Sequence, residues 1–113
     1  MKFSLLVARK PDHGPRDYLW SLVKRRYQEL MPQVEICAGF DSSELFCRSK
    51  ALNKAARKAT GEIFIVIDAD VIFNPDLIEK IASAIHLYPW IIPYQKAVLL
   101  TKNATHRLIK EGL

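Results

Sequence analysis

The sequence predicts an α/β fold in which helices cover both faces of a mostly parallel sheet. Short apolar runs that are typical of buried strands alternate with segments whose apolar residues recur at helical spacing. Connections of this kind, from strand through helix to the next strand, favour parallel pairing. The chain has 113 residues, of which 50% are apolar and 26% charged, and this balance predicts one folded domain over residues 1–113.

The first half of the chain predicts two strands, each followed by a helix. Proline and glycine mark the ends of these elements, because proline cannot continue a helix and glycine favours turns. The predicted elements are a strand from Phe3 to Ala8, a helix from about Arg16 to Leu30 that Pro32 ends, a strand from Val34 to Ala38 that Gly39 closes, and a helix with Leu52, Ala55, Ala56 and Ala59 on one face and Gly61 as its stop.

The second half of the chain continues the same alternation. The unbroken run of β-branched and aromatic residues from Ile63 to Ile67 is the strongest strand signal in the chain. Asn74 and Pro75 suit the cap and the first position of the next helix. The remaining predicted elements are the apolar face of that helix at Leu77, Ile78, Ile81 and Ile85, its end at Pro89, a fourth strand from Trp90 to Tyr94 that Pro93 confines to a sheet edge or a bulge, and a last helix from Ala104 to Glu111 capped by Thr101 or Asn103.

The net charge of +5 (17 Lys and Arg against 12 Asp and Glu) indicates either an anionic partner or a solvated surface. A nucleic-acid module is not expected, because the chain lacks aromatic residues interleaved with basic ones and any helix-turn-helix signature. No apolar run reaches the roughly 18 residues that span a bilayer, so no transmembrane segment is predicted. Two cysteines are too few for a disulfide scaffold or a cysteine zinc site, which makes a cytoplasmic setting the expectation.

Two carboxylates follow the Ile63–Ile67 strand directly, in the sequence Asp68-Ala69-Asp70. Residues two apart on an extended chain point to the same side, so these carboxylates would repel each other unless a cation or strong donors lay between them. Oxygen ligands suit a hard ion such as Mg²⁺ or Mn²⁺, which keeps several waters and often binds substrate phosphates. The alternative is local, with Asp70 starting a turn and Asp68 capping a loop.

Polar residues also follow the other predicted strands and lie at the start of the second helix. Because ligands of parallel sheets bind outside the carboxyl ends of the strands, each of these residues is a candidate. Arg48 and Lys50 either lie near a helix N-terminus that favours anions or belong to a charged outer face, where Lys54, Arg57 and Lys58 are expected. Asn53 lies inside the same helix, where asparagine is unfavourable unless its side chain has a binding or a structural role. Asp41 either hydrogen-bonds a base or ribose or caps the next segment. Arg9 either meets a diphosphate or is a solvated loop charge.

Taken together, these segments resemble the nucleotide-sugar half of a GT-A glycosyltransferase of the family-2 type. The resemblance covers most of the chain and implies a three-layer, Rossmann-like GT-A fold that binds a nucleoside diphosphate sugar, with a UDP-sugar favoured. The segments that carry it are the strand ending at Ala8-Arg9, Asp41 after the second strand, Ser49-Lys50-Ala51-Leu52-Asn53-Lys54-Ala55-Ala56, Ala59-Thr60-Gly61-Glu62, Ile65-Val66-Ile67-Asp68-Ala69-Asp70-Val71, and Asn74-Pro75-Asp76-Leu77.

The resemblance also implies roles for individual residues. Asp70 would hold a divalent ion, Mn²⁺ or Mg²⁺, that bridges the diphosphate of the sugar donor, and Asp68 would contact this ion or the ribose. The ion would act as a Lewis acid on the leaving diphosphate. Asp41 would contact the base. The nucleotide pocket would also be lined by Ala8, Arg9, Lys50, Asn53 and Ala69.

The length of the chain departs from the family pattern, because family members are much longer. The resemblance therefore implies a truncated fold from which the acceptor-binding half is missing, and we identify no general base, since Glu111 lies at the chain end. The alternatives are a non-catalytic nucleotide-sugar-binding remnant that oligomerises and a phosphatase of the haloacid dehalogenase type, in which an apolar strand also ends in Asp-x-Asp. An uncovered apolar surface predicts a homo-oligomer formed through the segment from Trp90 to Leu100.

Overall fold

The secondary structure follows the predicted alternation through three strands. The computed structural model describes residues 1–93, 96 and 98–111. The chain divides into two compact units, Met1–Ile72 and Phe73–Leu113. The first unit contains β1 (Phe3–Arg9), α1 (Pro15–Leu30), β2 (Glu35–Phe40), α2 (Arg48–Lys58) and β3 (Ile63–Ile67), and the second contains α3 (Leu77–Ala84) and α4 (Lys102–Glu111).

The strands of the described residues form one parallel sheet in the order β2-β1-β3. Strand β1 lies in the centre, and its residues from Phe3 to Val7 are all buried. In the sheet register, Leu6 lies between Cys37 of β2 and Val66 of β3. The predicted α/β class with a parallel sheet is therefore confirmed. Its physical basis is that an intervening helix returns the chain to the starting edge before the next parallel strand begins.

Helix α2 packs closely against one face of the sheet. Ala55 of α2 forms a buried cluster with Leu6 of β1 and Cys37 of β2. Gly39 is predicted to close the second strand, but it lies inside β2, where a Cβ atom would come within 1.8 Å of the Ala51 carbonyl oxygen. The prediction was wrong because Gly39 is needed where the α2 backbone comes close to β2. Sequence signals for turns carry no information about such a contact between two elements.

The opposite face of the sheet is covered by α1. Because side chains alternate along a strand, Arg9 points away from the face on which Leu6 meets α2. The Arg9 guanidinium lies 5.7 Å from the centroid of the Trp20 ring on α1. Tyr27, also on α1, donates its hydroxyl hydrogen to the carbonyl of Val71, just beyond β3. Helices thus lie on both faces of the sheet, as the sequence predicts.

Gly61 is predicted to stop the second helix, yet α2 ends at Lys58 and Gly61 lies against β1. A Cβ atom on Gly61 would come within 2.4 Å of Oγ of Ser4, and the Gly61 N–H donates to that oxygen at 2.9 Å. The Ser4 hydroxyl in turn donates to Oε2 of Glu35 at 2.5 Å, and the Thr60 N–H donates to the same oxygen at 2.8 Å. This polar cluster joins the starts of all three strands.

Strand β3 is an edge strand with alternating burial. Ile65 and Ile67 are buried, whereas Phe64 and Val66 are about half exposed. Phe64 and Val66 share a face with Leu6, and α2 covers that face over β1 and β2. The uninterrupted apolar run therefore includes a face of β3 that the described residues leave partly open to solvent.

The two helices of the second unit begin close to the predicted positions. Asp76, not Asn74, occupies the cap position of α3, although the Asn74 side chain accepts a hydrogen bond from the Asp76 N–H at 2.9 Å. Helix α4 begins after Thr101, whose hydroxyl accepts a hydrogen bond from the Ala104 N–H at 3.1 Å. Thr101 is thus the capping residue of the two that the sequence allows. No helix in the described part of the chain is long and apolar enough to cross a membrane.

The predicted fourth strand is not formed in the residues that can be described. Residues 90–93 have no strand conformation, and Tyr94 lies outside the described residues. Trp90 is predominantly exposed. Proline accounts for the difference, because Pro89 and Pro93 flank the segment and neither can donate a backbone hydrogen bond to a neighbouring strand.

Candidate functional site

The carboxyl ends of the three parallel strands lie at one edge of the sheet. In register, Arg9 at the end of β1 pairs with Phe40 at the end of β2, and Asp41 follows at once. Val7 pairs with Ile67 at the end of β3, which Asp68 follows. Crevices outside the carboxyl ends of such strands are where parallel α/β sheets bind ligands. The structure therefore brings the chain positions after the second and third strands to the edge that the sequence predicts.

Asp41 is buried and holds the loop that leads into α2. Its Oδ2 atom accepts hydrogen bonds from the Ser43 hydroxyl and, at 2.6 Å, from the Cys47 N–H. The hydrogen bonds from Ser43 and Cys47, helped by the nearby charge of Lys50, lower the pKa of Asp41. Asp41 thus makes the local capping contacts that the sequence allows, as an ionised carboxylate at the end of β2.

Arg48 and Asp68 form an ion pair between two different elements. Arg48 is the first residue of α2 and Asp68 is the first residue after β3. The Arg48 guanidinium nitrogen lies 3.1 Å from Oδ1 of Asp68, and both side chains are more than half exposed. The pair brings the basic start of α2 to the carboxylates that follow β3.

Asp70 lies on the turn after β3 and faces solvent. The turn is closed by the Val71 N–H, which donates to the Asp68 carbonyl at 3.2 Å. Ala69 is partly buried and Asp70 is exposed. No described residue makes a hydrogen bond or an ion pair with the Asp70 carboxylate. Asp70 is therefore accessible to an ion or ligand from solution.

Lys50 and Asn53 lie three residues apart on the exposed side of α2, which places them about one helical turn from each other. Lys50 is close enough to Asp41 for its charge to act on that carboxylate. Asn53 makes no side-chain hydrogen bond within the described residues. The structure thus shows no local partner that would explain Asn53 in the middle of a helix.

Arg9 is engaged in a contact that the sequence reasoning missed. Its guanidinium lies 2.5 Å from Oδ1 of Asp17 on α1, and only 10% of its side chain is exposed. Burial raises the pKa of Asp17, but the bonds from Arg9 and from the N–H groups of Asp12 and His13 outweigh that effect and lower it. Ala8, in register with Gly39, is partly buried. Of these two pocket candidates, Arg9 thus has its charge paired within the protein.

Most of the chain matches a known protein family, because the family model "Glycosyl transferase family 2" covers residues 12–95. The chain belongs to glycosyl transferase family 2. No curated protein and no solved structure matches it. The matched region of this family 2 domain contains Asp41, Arg48, Lys50, Asn53 and the Asp68-Ala69-Asp70 sequence, whereas Ala8 and Arg9 precede it. The resemblance to family-2 glycosyltransferases that the sequence motifs indicate is therefore confirmed.

A divalent ion needs several oxygen ligands, and the family 2 domain supplies only part of such a set. No group of three or more metal-binding side chains occurs among residues 1–93, 96 and 98–111. Asp68 and Asp70 nevertheless provide exposed carboxylates, and Mg²⁺ is commonly bound by one or two carboxylates with waters and phosphate oxygens as its other ligands. The residues present fit an ion that is shared with a diphosphate, and they do not form a cage made only of protein ligands.

Sequence reasoning does not identify one contact of this candidate site, the pairing of Arg48 with Asp68. The sequence predicts the two carboxylates beside the basic helix start that contains Arg48, but not which of these side chains meet. A signal was available, because Arg48 is predicted near a helix N-terminus and Asp68 near the end of the adjacent β-α-β unit. The pairing itself depends on the register of β1 with β3, and the spacing of residues along the chain does not contain that register.

Proposed function

We propose that this family 2 domain binds the nucleoside diphosphate sugar of a glycosyl transfer reaction, with a uridine nucleotide favoured. The observation that carries the proposal is that Asp68 and Asp70 are exposed directly after β3 and that Asp68 is paired with Arg48 at the start of α2. A metal diphosphate has two groups to be bound, the cation and the phosphate oxygens. Carboxylates bind the cation, and a guanidinium binds the phosphate oxygens.

Asp68 and Asp70 would hold Mn²⁺ or Mg²⁺, and Arg48 would contact the diphosphate. When bound, the ion would supply Lewis acid stabilisation of the negative charge on the leaving diphosphate. Arg48 already lies 3.1 Å from Asp68, so its guanidinium can exchange one oxygen partner for another with little movement. The start of α2 adds N–H groups and a positive helix potential on the same side.

The base and ribose would lie between the ends of β1 and β2. Asp41 uses Oδ2 for its loop, so a contact with the base would fall to Oδ1. The Arg9 guanidinium is paired with Asp17, so a contact of the Ala8-Arg9 strand end with the nucleotide would be made by the backbone. Lys50, Asn53 and Ala69 remain candidate pocket residues on the basis of their exposure or position.

Calorimetry with UDP and Mn²⁺ tests the proposal. The wild-type chain is expected to bind UDP only when Mn²⁺ or Mg²⁺ is present. Asp70→Asn is expected to weaken binding by at least about tenfold, because it removes a metal ligand and its charge. Asp76→Asn is the matched control, since it removes the same charge from an exposed aspartate that is not among the proposed site residues. Absence of binding by the wild type at millimolar UDP and Mn²⁺ would contradict the proposal.

An assay of phosphate ester hydrolysis, run beside this titration, separates the proposal from the phosphatase alternative. A phosphatase of the haloacid dehalogenase type would hydrolyse a simple phosphate ester in the presence of Mg²⁺ and would not require a nucleotide. Metal-dependent hydrolysis by the wild type without UDP binding would therefore favour that alternative.

We also propose that copies of this chain associate through the segment from Trp90 to Leu100. Trp90 and Ile92 are mainly exposed, and Val98 and Leu99 are almost fully exposed. Apolar side chains this accessible favour contact with another apolar surface. This association would be compatible either with an active transferase or with a binding protein that has lost turnover.

A further inference from the structure

A concave surface, the basic cavity, is formed by Phe40 at the end of β2 and by Lys54, Arg57 and Lys58 on α2. Its volume is about 350 Å³, which lies within the range of roughly 300–1,000 Å³ that is typical of small-molecule sites. The cavity shares no lining residue with the proposed metal and diphosphate site. This inference does not rest on the proposed function.

The cations of the basic cavity lie on one face of α2, because positions 54, 57 and 58 are related by three and four residues. Lys58 donates to the Ala38 carbonyl at 3.0 Å and lies 5.7 Å from the centroid of the Phe40 ring. No ion pair joins Lys54, Arg57 or Lys58 to a carboxylate within the described residues. The cavity therefore concentrates positive charge that the protein does not neutralise.

An exposed aromatic ring distinguishes this surface from an ordinary charged helix face. Phe40 is 43% exposed although it belongs to the sheet. A phenyl ring presents a flat apolar surface on which an aromatic base can stack, and the surrounding cations can donate charge-assisted hydrogen bonds to a phosphate. A ligand that carries both groups would use the ring of Phe40 and the side chains of Lys54 and Arg57.

We propose that the basic cavity binds a nucleoside monophosphate, or a similar phosphate ester with a flat aromatic ring, without a metal ion. The phosphate contacts Lys54 and Arg57, and the ring stacks on Phe40. Lys58 keeps its bond to Ala38 and adds positive potential. A nucleic-acid strand and an anionic membrane surface are different partners, and the experiment below is designed to detect them.

The test is calorimetry with adenosine monophosphate in EDTA, which removes the divalent ions required at Asp68 and Asp70. The wild type is expected to bind, with weaker binding at higher salt. The double variant Lys54→Ala/Arg57→Ala is expected to weaken binding about tenfold or more, because it removes the phosphate donors. The matched control is Lys24→Ala/Arg25→Ala, which removes the same charge from exposed positions on α1.

Phe40→Leu tests the ring contact separately. It is expected to weaken binding of adenosine monophosphate about fivefold and to leave binding of inorganic phosphate unchanged. Circular dichroism of each variant verifies that the fold is retained, and Lys58 is not substituted because it bonds the sheet edge. Amide NMR shifts on adding adenosine monophosphate are expected at Phe40 and along the second half of α2.

Three results would overturn the inference. The first is no binding of adenosine monophosphate by the wild type at millimolar concentration. The second is an equal loss of binding in the two double variants, which would indicate attraction by net charge only. The third is tight binding of anionic vesicles or single-stranded oligonucleotides, abolished by Lys54→Ala/Arg57→Ala, without binding of the mononucleotide, which would assign the surface to a membrane or a nucleic acid.

Discussion

Arg48 and Asp68 are separated by 20 positions in the chain but lie 3.1 Å apart, and they join the start of α2 to the end of β3. Both side chains are exposed, so the pair contributes little to folding and remains accessible to a ligand. Asp70 follows Asp68 by two residues, so the guanidinium and both aspartates lie at the end of the sheet where α/β folds bind ligands.

Arg48→Ala is expected to change binding of metal alone and of metal diphosphate in opposite directions. The guanidinium competes with a metal ion for Asp68, so its removal should tighten binding of Mn²⁺ alone. It also binds phosphate oxygens in the proposed site, so its removal should weaken binding of UDP with Mn²⁺ about tenfold. Calorimetric titration with each ligand measures both effects, with Arg25→Ala as the control. The free energy of unfolding should fall by less than about 1 kcal/mol. Unchanged affinity for both ligands would show that Arg48 is not part of the site.

Gly39→Ala is expected to be strongly destabilising, because its Cβ atom would lie 1.8 Å from the Ala51 carbonyl oxygen. Since α2 must move away from the sheet, the free energy of unfolding should fall by about 3 kcal/mol or more. Gly14→Ala is the control, because its Cβ would lie 3.7 Å from the Asp12 carbonyl oxygen, an ordinary van der Waals contact. It should change the free energy of unfolding by no more than about 1 kcal/mol. Urea unfolding measures both. Equal stabilities of the two variants would contradict the close packing of α2 on β2.

Glu35 should make the stability depend on pH in the acid range. The hydrogen bonds from Ser4 and Thr60, with a contribution from the charge of Lys2, lower the pKa of Glu35 from 4.5 to about 2. Because the folded state holds this proton less tightly than the unfolded state, the stabilisation is present above pH 4.5 and is lost as the pH falls towards 2.

Urea unfolding between pH 6 and pH 2 is the measurement for Glu35. The free energy of unfolding of the wild type should fall more steeply with decreasing pH than that of Glu35→Gln. Glu29→Gln, which changes an exposed glutamate on α1, should keep the steep dependence. The same slope in the wild type and in Glu35→Gln would refute the link between this cluster and acid stability.

Self-association should depend on Leu99, which is 95% exposed. Sedimentation of the wild type should show a species larger than the 13.0 kDa monomer, and Leu99→Lys should shift it towards the monomer because burying a lysine at an interface is costly. Leu45→Lys changes an equally accessible leucine of the first unit, 86% exposed, and should leave the association unchanged. A wild type that sediments only as monomer at high concentration would contradict the proposal.

The strands and helices of the first unit could be predicted because their signals are local. The run from Ile63 to Ile67 and the helical spacing of apolar residues in α1 depend only on neighbouring positions. Gly39 and Gly61 could not be interpreted in the same way, since each is required by a contact with another element, Ala51 in one case and Ser4 in the other. Their roles follow from packing distances.

In the candidate site, too, local features could be predicted and contacts between elements could not. The position of the aspartates at the end of β3 could be predicted because a buried strand ends directly before them. The pairing of Arg48 with Asp68 and of Arg9 with Asp17 could not, because each depends on how separate elements are placed in space. For Arg9 the consequence is substantial, since the sequence predicts a possible contact with a diphosphate, whereas in the structure its charge is paired with Asp17 on α1.

The hydrogen bond from Tyr27 to the Val71 carbonyl has a consequence for the energetics of ligand binding. Tyr27 is almost completely buried, so its hydroxyl is a fixed point to which the chain next to Asp70 is attached. Part of the entropy cost of ordering the turn from Asp68 to Val71 is therefore met when the protein folds, before a ligand arrives. The buried hydroxyl thus preorganises the turn while its carboxylates stay open to solvent, and an ion bound as proposed would not first have to order the backbone that carries them.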